Sequence, residues 1–227
     1  MNNLGIILVA AGSSTRFGAD KQFALLAGLP VFLHSVRAFL SCATELVLVL
    51  PSGRQDEFRT KIVEHGFDSP KIRYATGGAT RSESVQNGLS ALSFTDGIVA
   101  IHDAARPLAT AELLMKLVEA AKTFGGAAPA HPVTDTLLVG DETNRMTGVQ
   151  PREHLWQVAT PQVFQLQPLL AAYRHAAGQP FTDDTQVFFH DGGHVQIVSD
   201  SSNNLKITYP EDLSRAESII LKRNSLK

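Results

Sequence analysis

Several features that would point to particular classes of protein are scarce in this sequence of 227 residues. Cys42 is the single cysteine, so no disulfide can form within the chain, as is typical of the reducing cytoplasm. The apolar run in the amino-terminal stretch MNNLGIILVAAG has no basic region before it. That run is far shorter than the roughly 20 residues that a membrane-spanning helix needs. We therefore expect neither export nor membrane insertion, and predict a cytoplasmic protein.

An excess of charge of either sign is also absent. Lys and Arg together number 20 and Asp and Glu 22, which gives a formal net charge of -2. This balance provides no general attraction to nucleic acid or to an anionic membrane, so we expect neither as a partner. An anionic ligand would have to be bound by a local cluster of cations. The length fits one domain over residues 1–227, with 44% hydrophobic and 19% charged residues as in ordinary globular proteins.

The loop VAAGSSTRFGADKQF lacks the glycine spacing of both standard phosphate loops. In a P-loop four residues separate the two glycines and Lys follows the second, but here five residues separate Gly12 from Gly18 and Ala19 follows. The dinucleotide-binding fingerprint needs a glycine where this chain has Ser14. The sequence therefore argues against a P-loop protein and against a dehydrogenase.

What this loop does contain is a turn of small residues with two cations nearby. Ala10, Ala11 and Gly12 allow a ligand to lie against the backbone, and Arg16 and Lys21 supply positive charge. Backbone N–H groups and two cations can together bind a polyphosphate. A tight turn with solvated Arg and Lys side chains explains this stretch equally well.

Apolar strand-like runs alternate with amphipathic helical patterns along most of the chain. The runs predict strands at 4–10, 45–50, 71–76, 97–105, 126–130 and 194–199. Helical spacing predicts helices near 32–40, 58–65, 81–92, 110–121, 169–177 and after 208, with Thr110 as an N-cap and capping boxes at Thr80/Glu83 and Thr208/Glu211. This alternation predicts the α/β class, with a Rossmann-like, mostly parallel sheet and helices on both faces. Ligands of such sheets bind at the carboxyl ends of the strands.

The alternation stops over residues 133–160, where no long helical face is present. A turn signal at GDETN predicts a β-hairpin that projects from the sheet as an arm. Leu138, Val149 and Trp156 would be poorly covered on an isolated hairpin. A second copy of the chain is the simplest partner that could cover them, so we expect a homodimer formed through the arm.

Two further stretches carry residues suited to nucleotide chemistry. In GGATRSESVQNGL, Gly78 follows a strand, and Arg81 and Ser84 lie at the start of a helix, where free N–H groups favour polar or anionic ligands. In AIHDAARPL, Asp103 ends an apolar strand and is a natural ligand for Mg²⁺. The neighbouring His102 is interpreted as a packed residue. A glycine turn and an ordinary cap remain alternative explanations of these stretches.

Taken in order, the segments AAGSSTRFG…KQ, GGATRSESVQNGL, HDAARP, PVTDT, TPQVF, TDD and NLKITYPEDL resemble the 2-C-methyl-D-erythritol 4-phosphate cytidylyltransferase family over nearly the whole chain. The resemblance implies transfer of CMP from CTP to a sugar-alcohol phosphate, with Mg²⁺ or another divalent cation as cofactor. It also implies a homodimer that exchanges its arms.

The resemblance also assigns roles to individual residues. It implies that Arg16, Lys21 and Lys206 are catalytic cations and that Asp103 binds the metal. It implies a CTP site formed by Ala10, Ala11, Gly12, Ser13, Gly78, Arg81, Ser84, Asp103 and Ala104. Thr136 and Arg152 from the neighbouring subunit, with Thr160 and Thr182, would bind the sugar phosphate.

The chain departs from the family pattern at three places. The run between Arg16 and Lys21 is shorter than usual, and Asp20 replaces the usual proline before the lysine. Leu137 and Leu138 stand where a family lysine often follows the arm's Asp-Thr pair, and Asn203 stands where some relatives have an acid, with Asp200 as a candidate substitute.

Two alternative functions remain open at this point. A cytidylyltransferase acting on ribitol 5-phosphate or another pentitol phosphate would share the CTP site and differ only in its sugar pocket. A non-catalytic nucleotide sensor would need fewer charges positioned for a transition state than the four at Arg16, Lys21, Asp103 and Lys206.

Overall fold

The structure is a computed structural model that describes residues 3–12, 15–176, 179 and 181–225. Its strands are β1 (Leu4–Val9), β2 (Leu25–Leu26), β3 (Leu29–Pro30), β4 (Glu45–Leu50), β5 (Ile72–Thr76), β6 (Ile98–Asp103), β7 (Gly126–Pro132), β8 (Leu137–Gly140), β9 (Met146–Gln150), β10 (Trp156–Val158), β11 (Gln162–Gln165) and β12 (Val195–Ser199). Its α-helices are α1 (Val31–Phe39), α2 (Gln55–Glu64), α3 (Arg81–Ser90), α4 (Ala111–Phe124), α5 (Leu166–His175), α6 (Asp184–His190) and α7 (Glu211–Ser225). A short 3-10 helix spans Thr15–Phe17.

The main sheet has the strand order β10-β7-β11-β6-β1-β4-β5, and β12 pairs with β7. The pairs β1–β4, β1–β6, β4–β5 and β7–β12 are parallel, whereas β11 is antiparallel to β6 and β7, and β10 is antiparallel to β7. The prediction of a mostly parallel sheet is confirmed. The chain moves outward from β1 to β4 and β5, then returns to β6 on the other side of β1. A ligand crevice is expected where the direction reverses, at the carboxyl ends of β1 and β6.

Helices cover both faces of this sheet because its strands are apolar on both sides. Ile6 and Leu8 of β1 lie in a buried cluster with Phe32 of α1, whereas Ile7 lies in a second cluster with Val85 of α3. Successive strand residues point to opposite faces, so each strand contributes to two cores. Among the described residues, no helix is both long enough and apolar enough to span a membrane.

The helix caps agree with the sequence predictions at two of three places. The side chain of Thr80 accepts from the backbone N–H of Glu83, and that of Thr110 accepts from Leu113. The capping box predicted at Thr208 and Glu211 is wrong. The carboxylate of Asp212 instead accepts from the backbone N–H groups of Thr208, at 2.8 Å, and of Tyr209. A carboxylate on the second helical residue satisfies two free donors at once, which a single threonine hydroxyl cannot do.

The predicted arm divides into two parts. β8 and β9 pair as a separate two-stranded antiparallel sheet, while β10 lies in the main sheet beside β7. The side chains of Leu138 and Val149 are 61% and 54% exposed. Met146, Val139 and Trp156 are exposed as well. The hairpin therefore presents an apolar surface that nothing in the same chain covers among the described residues.

Candidate active site

A cavity of about 370 Å³ opens at the carboxyl ends of β1 and β6. Its lining comes from both halves of the sequence: Val9, Ala11, Gly12, Lys21, Gln22, Gly78, Ala79, Thr80, Arg81, Ser84, Asp103, Ala105 and Lys206. Eight of the residues predicted from sequence are therefore brought together: Ala11, Gly12, Lys21, Gly78, Arg81, Ser84, Asp103 and Lys206.

The floor of the cavity is formed by two turns in close contact. A Cβ atom added to Gly77 would lie 2.3 Å from the Cβ of Ala11, so glycine is required there. Gly77 donates its N–H to the carbonyl of Leu50, and Gly78 donates its N–H to the hydroxyl of Ser84. These bonds tie the turn that follows β5 to β4 and to the start of α3.

Asp103 is the carboxylate at the centre of the site. Its Oδ2 accepts from Nζ of Lys206 at 2.6 Å, and its Oδ1 accepts from Nε of Arg81 at 3.3 Å. Burial by itself would raise the pKa of Asp103, but the charges of Arg81, Lys206 and Arg106 outweigh burial and hold that pKa well below its usual range. Asp103 is therefore an anion at every pH of biological interest.

Lys21 lies on the same cavity and faces other cations. Its Nζ donates to the carbonyl of Ile207 at 3.3 Å. Ile207 follows Lys206 in the sequence, so this bond brings Lys21 close to Lys206. Burial lowers the pKa of Lys21, and the charges of Lys206 and Arg16 lower it further, while Asp103 raises it. A group of cations that repel one another at the mouth of a cavity is suited to a ligand with several negative charges.

The remaining loop residues stand in different positions. Arg16 is exposed and does not line the cavity, although its positive charge lowers the pKa of Lys21. Ala10 and Ala104 are buried, and their backbone N–H groups donate to Val49 and Val9, so they support the cavity from behind. The CTP contact predicted for Ser13 lies outside the described residues.

Arg81 is held from below by a buried acid that the sequence analysis did not single out. Its Nη2 lies 2.8 Å from Oδ2 of Asp184, whose Oδ1 accepts from the hydroxyl of Tyr173 at 2.5 Å. Asp184 is fully buried at the first position of α6. The TDD segment contains Asp184, but a contact between residues 103 positions apart has no local signal in the sequence.

The four residues predicted to bind a sugar phosphate lie outside the lining of this cavity. Thr160 is buried, and its hydroxyl accepts from the backbone N–H of Asp103, so it supports β6. Thr182 is exposed and donates to the side chain of Gln186. Arg152 donates to the carbonyl of Thr134 and lines a separate surface cavity, and Thr136 is exposed beside the hairpin.

His102 is buried, as the interpretation of a packed residue predicted. Its ring contacts the hydroxyl of Thr160 through Nδ1 and the carbonyl of Arg106 through Nε2. Burial lowers the pKa of His102 to about 4, so the ring is neutral near pH 7.

The carboxylate at the site fits a magnesium ion that arrives with phosphate ligands. Among the residues that the structure describes, no group of three or more His, Cys, Asp or Glu side chains could form a metal centre by itself. Mg²⁺ is commonly bound by one or two carboxylates together with substrate phosphates and water, and the carboxylate of Asp103, here paired with Lys206 and Arg81, is of the type that such a site uses. Asp200, the candidate substitute for a second acid, accepts from Asn204 and lines a different cavity.

The mostly parallel sheet places a cationic, glycine-lined cavity beside one strand-end carboxylate, and the chain matches a class of nucleotidyltransferases. A family model for 2-C-methyl-D-erythritol 4-phosphate cytidylyltransferase matches residues 4–222. The enzyme of that name from Cereibacter sphaeroides is 42% identical over 219 residues, covering 94% of this chain and 95% of that protein. The chain belongs to the 2-C-methyl-D-erythritol 4-phosphate cytidylyltransferase family.

Solved structures of the same family share this fold. The cytidylyltransferase from Thermus thermophilus has a TM-score of 0.77 and 32% identity, with 96% of this chain and 98% of that one covered. The 4-diphosphocytidyl-2C-methyl-D-erythritol synthase from Anaerococcus prevotii has a TM-score of 0.83 and 26% identity, with 97% and 99% covered. Both likenesses extend over almost the whole chain.

Proposed function

We propose that this protein transfers CMP from CTP to 2-C-methyl-D-erythritol 4-phosphate, giving 4-diphosphocytidyl-2-C-methyl-D-erythritol and pyrophosphate. The observation that carries the proposal is the cluster of Lys21, Arg81 and Lys206 around Asp103 at the mouth of the cavity. An oxygen of the sugar phosphate attacks the α-phosphorus of CTP, and the bond to the pyrophosphate oxygen breaks. The nucleophile is already an anion near neutral pH, so no general base is required.

The main barrier to this reaction is repulsion between two highly charged anions. Lys21 and Lys206 would offset the charge that develops on the α-phosphoryl oxygens and on the leaving pyrophosphate, and Arg16 would add positive charge from outside the cavity lining. Asp103 would hold Mg²⁺, which supplies neutralisation of the triphosphate charge when bound. Catalysis then consists of positioning and electrostatic stabilisation.

The nucleoside would lie over the glycine floor. Ala11 and Gly12 line the cavity opposite Gly78 and Ser84, and cytosine and ribose would lie against this turn, which the hydrogen bond from Gly78 N–H to the Ser84 hydroxyl holds in place. Arg81 reaches the same space while its other face is paired with buried Asp184. Ser13 and the supporting residues Ala10 and Ala104 complete the proposed CTP site.

The sugar phosphate would be bound by residues of two subunits. Thr160 and Thr182 belong to the same subunit as the cavity, whereas Thr136 and Arg152 would reach it from the arm of the partner. The exposed apolar side chains of β8 and β9 support this arrangement, because a second copy would cover them. We therefore propose a homodimer joined through the arm, with residues 1–227 forming one domain in each subunit.

Pyrophosphate release tests the proposal directly. The protein is mixed with CTP and Mg²⁺, and either 2-C-methyl-D-erythritol 4-phosphate or ribitol 5-phosphate is added. Release with the former alone supports the proposal, release only with ribitol 5-phosphate replaces the sugar substrate, and release with neither favours a nucleotide sensor. Cell fractionation tests the proposed cytoplasmic location, which the single cysteine supports.

A further inference from the structure

The segment Asp20–Phe23 carries Lys21 and Gln22 into the cavity, and its own conformation is fixed from outside the cavity. Oδ1 of Asp20 accepts from the backbone N–H of Gln22 at 3.1 Å, and the carbonyl of Asp20 accepts from the N–H of Phe23 at 3.2 Å. The Asp20 side chain therefore closes a turn around Lys21. Gly18 and Ala19, just before it, are exposed, so the turn gains little support from that side.

Arg54, which immediately precedes α2, holds this turn through its charge. One amino group of its guanidinium donates to Oδ2 of Asp20, and the other donates to Oε2 of Glu57 at 2.6 Å. These two carboxylates raise the pKa of Arg54 above its already high usual value. Asp20 and Arg54 are each 32% exposed at the side chain, whereas Glu57 is 57% exposed, so the pair with Asp20 is the better shielded of the two.

The same guanidinium also lies over two aromatic rings. It stands 5.0 Å from the ring centre of Phe23 and 5.7 Å from that of Phe58. The ring centres of Phe23 and Phe58 are 4.7 Å apart, and Phe58 is fully buried in the core. Arg54 thus contacts both the residue before Lys21 and the second residue after it, and it connects both to the core through Phe58.

We infer that Asp20 and Arg54 are a pair of positioning residues that fix the backbone on either side of Lys21 so that its ammonium group meets the triphosphate. This inference rests on the proposed function. Lys21 has a long flexible side chain, and within the part of the chain that the structure describes its ammonium donates one hydrogen bond, of 3.3 Å, to the carbonyl of Ile207. The backbone position of Lys21 sets the region that this side chain can reach, and a misplacement of about 1 Å can cost about a hundredfold in rate.

The test uses the full-length protein with Asp20→Ala and Arg54→Ala. Glu57→Gln is the matched control, because it removes the other carboxylate from the same guanidinium and leaves the turn intact. We expect Asp20→Ala and Arg54→Ala to lower kcat by about tenfold to a hundredfold, with the Kd for CTP in calorimetry changed about twofold or less. We expect Glu57→Gln to match the unaltered protein. Unchanged kcat in Asp20→Ala would overturn the inference.

A double-mutant cycle separates positioning of Lys21 from a general loss of structure. If Asp20 acts through Lys21, adding Asp20→Ala to a Lys21→Ala protein changes kcat little further. Independent effects that multiply in the double variant would contradict the inference. Arg54→Lys keeps the charge but not the planar contact with Phe23, and we expect it to recover part of the lost kcat.

Hydrogen exchange provides a measurement that needs no activity. We expect faster exchange at the backbone amides of Gln22 and Phe23 in Asp20→Ala, and no change in Glu57→Gln. Protection that stays the same in Asp20→Ala would refute the positioning pair even if the protein proved inactive with CTP. Failure of the proposed function, in contrast, would appear as absent pyrophosphate release in the unaltered protein.

Discussion

The guanidinium of Arg81 donates to Oδ2 of Asp184 at 2.8 Å, and this places a cation of the cavity directly over a carboxylate that water does not reach. The second oxygen of Asp184 is bonded to Tyr173, so both oxygens have partners. A buried ion pair of this kind adds little to stability when intact, but loss of one member leaves a charge that nothing compensates. Arg81 therefore has a structural role in addition to its proposed contact with nucleotide.

Replacement of Arg81 should expose that structural role. We expect Arg81→Met to lower the free energy of unfolding by about 3–5 kcal/mol, because it leaves Asp184 charged and unpaired. Arg16→Met, on the exposed loop, should change it by about 0.5 kcal/mol or less. Urea unfolding followed by circular dichroism measures both. Equal effects of the two substitutions would contradict the geometry of the pair.

Lys206 and a divalent cation should compete for Asp103. The ammonium of Lys206 already occupies Oδ2 of that carboxylate at 2.6 Å. We expect Lys206→Met to bind Mn²⁺ more tightly than the unaltered protein in the absence of nucleotide, although its kcat is lower. Electron paramagnetic resonance of free Mn²⁺ gives the affinity, with Lys116→Met as a control on the exposed face of α4. Weaker Mn²⁺ binding by Lys206→Met would argue that Asp103 is not the metal ligand.

Lys21 should matter for turnover more than for binding. Its positive charge stabilises the negative charge that develops in the transition state, so we expect Lys21→Ala to lower kcat by about 10² to 10³. The Kd for CTP should rise much less, since the other cations still contact the ground state. Steady-state kinetics and calorimetry separate the two quantities. A kcat equal to that of the unaltered protein would remove Lys21 from the proposed mechanism.

The proposed exchange of arms predicts complementation between inactive subunits. Arg16→Ala removes a proposed catalytic cation from its own subunit, whereas Arg152→Ala removes a proposed sugar-phosphate contact from the site of the partner. After exchange of equal amounts, half of the dimers are mixed and each has one intact site, so about a quarter of the original activity should return. Absence of recovery, with subunit exchange demonstrated by mass spectrometry, would refute a site shared between subunits.

Burial of His102 should make stability depend on pH. Its pKa falls from 6.5 to about 4 in the folded protein because of burial, so the unfolded chain binds a proton more readily between those values. The contribution of neutral His102 to the free energy of unfolding is therefore complete above pH 6.5, and it falls by about 3 kcal/mol as the pH drops to 4. We expect His102→Gln to flatten the slope of unfolding free energy in this window. An unchanged slope would show that another group titrates there.

Asp103 also affects stability at acid pH, in a lower window. Its folded pKa is depressed by Arg81 and Lys206, so its contribution is present above the ordinary aspartate pKa of 3.8 and declines as the pH falls below that value. The two groups can be distinguished because His102 acts mainly above pH 4 and Asp103 mainly below it.

The strand and helix order was predictable because the apolar periodicity of each segment is strong. Thr80 and Thr110 were identified as caps from local sequence alone, and both cap their helices. The cap of α7 was not identified correctly. Asp212 and Glu211 both lie in the first turn, and the sequence does not specify which carboxylate accepts from the backbone N–H groups before the helix. The short hairpin β2–β3 and the helix α6 were missed because each spans too few residues to show a clear period.

The site was predictable where its residues follow strands and unpredictable where distant elements meet. Gly78 is the second residue after β5 and Asp103 is the last residue of β6, and the carboxyl ends of parallel strands lie at the same edge of a sheet. The ion pair of Arg81 with Asp184 depends on how α6 packs against the start of α3. Gln22 lines the cavity without having been singled out, because nothing in its type distinguishes it from a surface glutamine.

The hydrogen bonds of Lys21 to Ile207 and of Lys206 to Asp103 span 186 and 103 residues of the chain. The strands β1, β4, β5 and β6 all lie before residue 104, so they can pair during translation of the rest of the chain. Lys206 leaves the ribosome long afterwards. A nascent chain stalled before residue 206 would have the cavity floor but an incomplete set of cations, so binding of CTP would have to wait until Lys206 is synthesised.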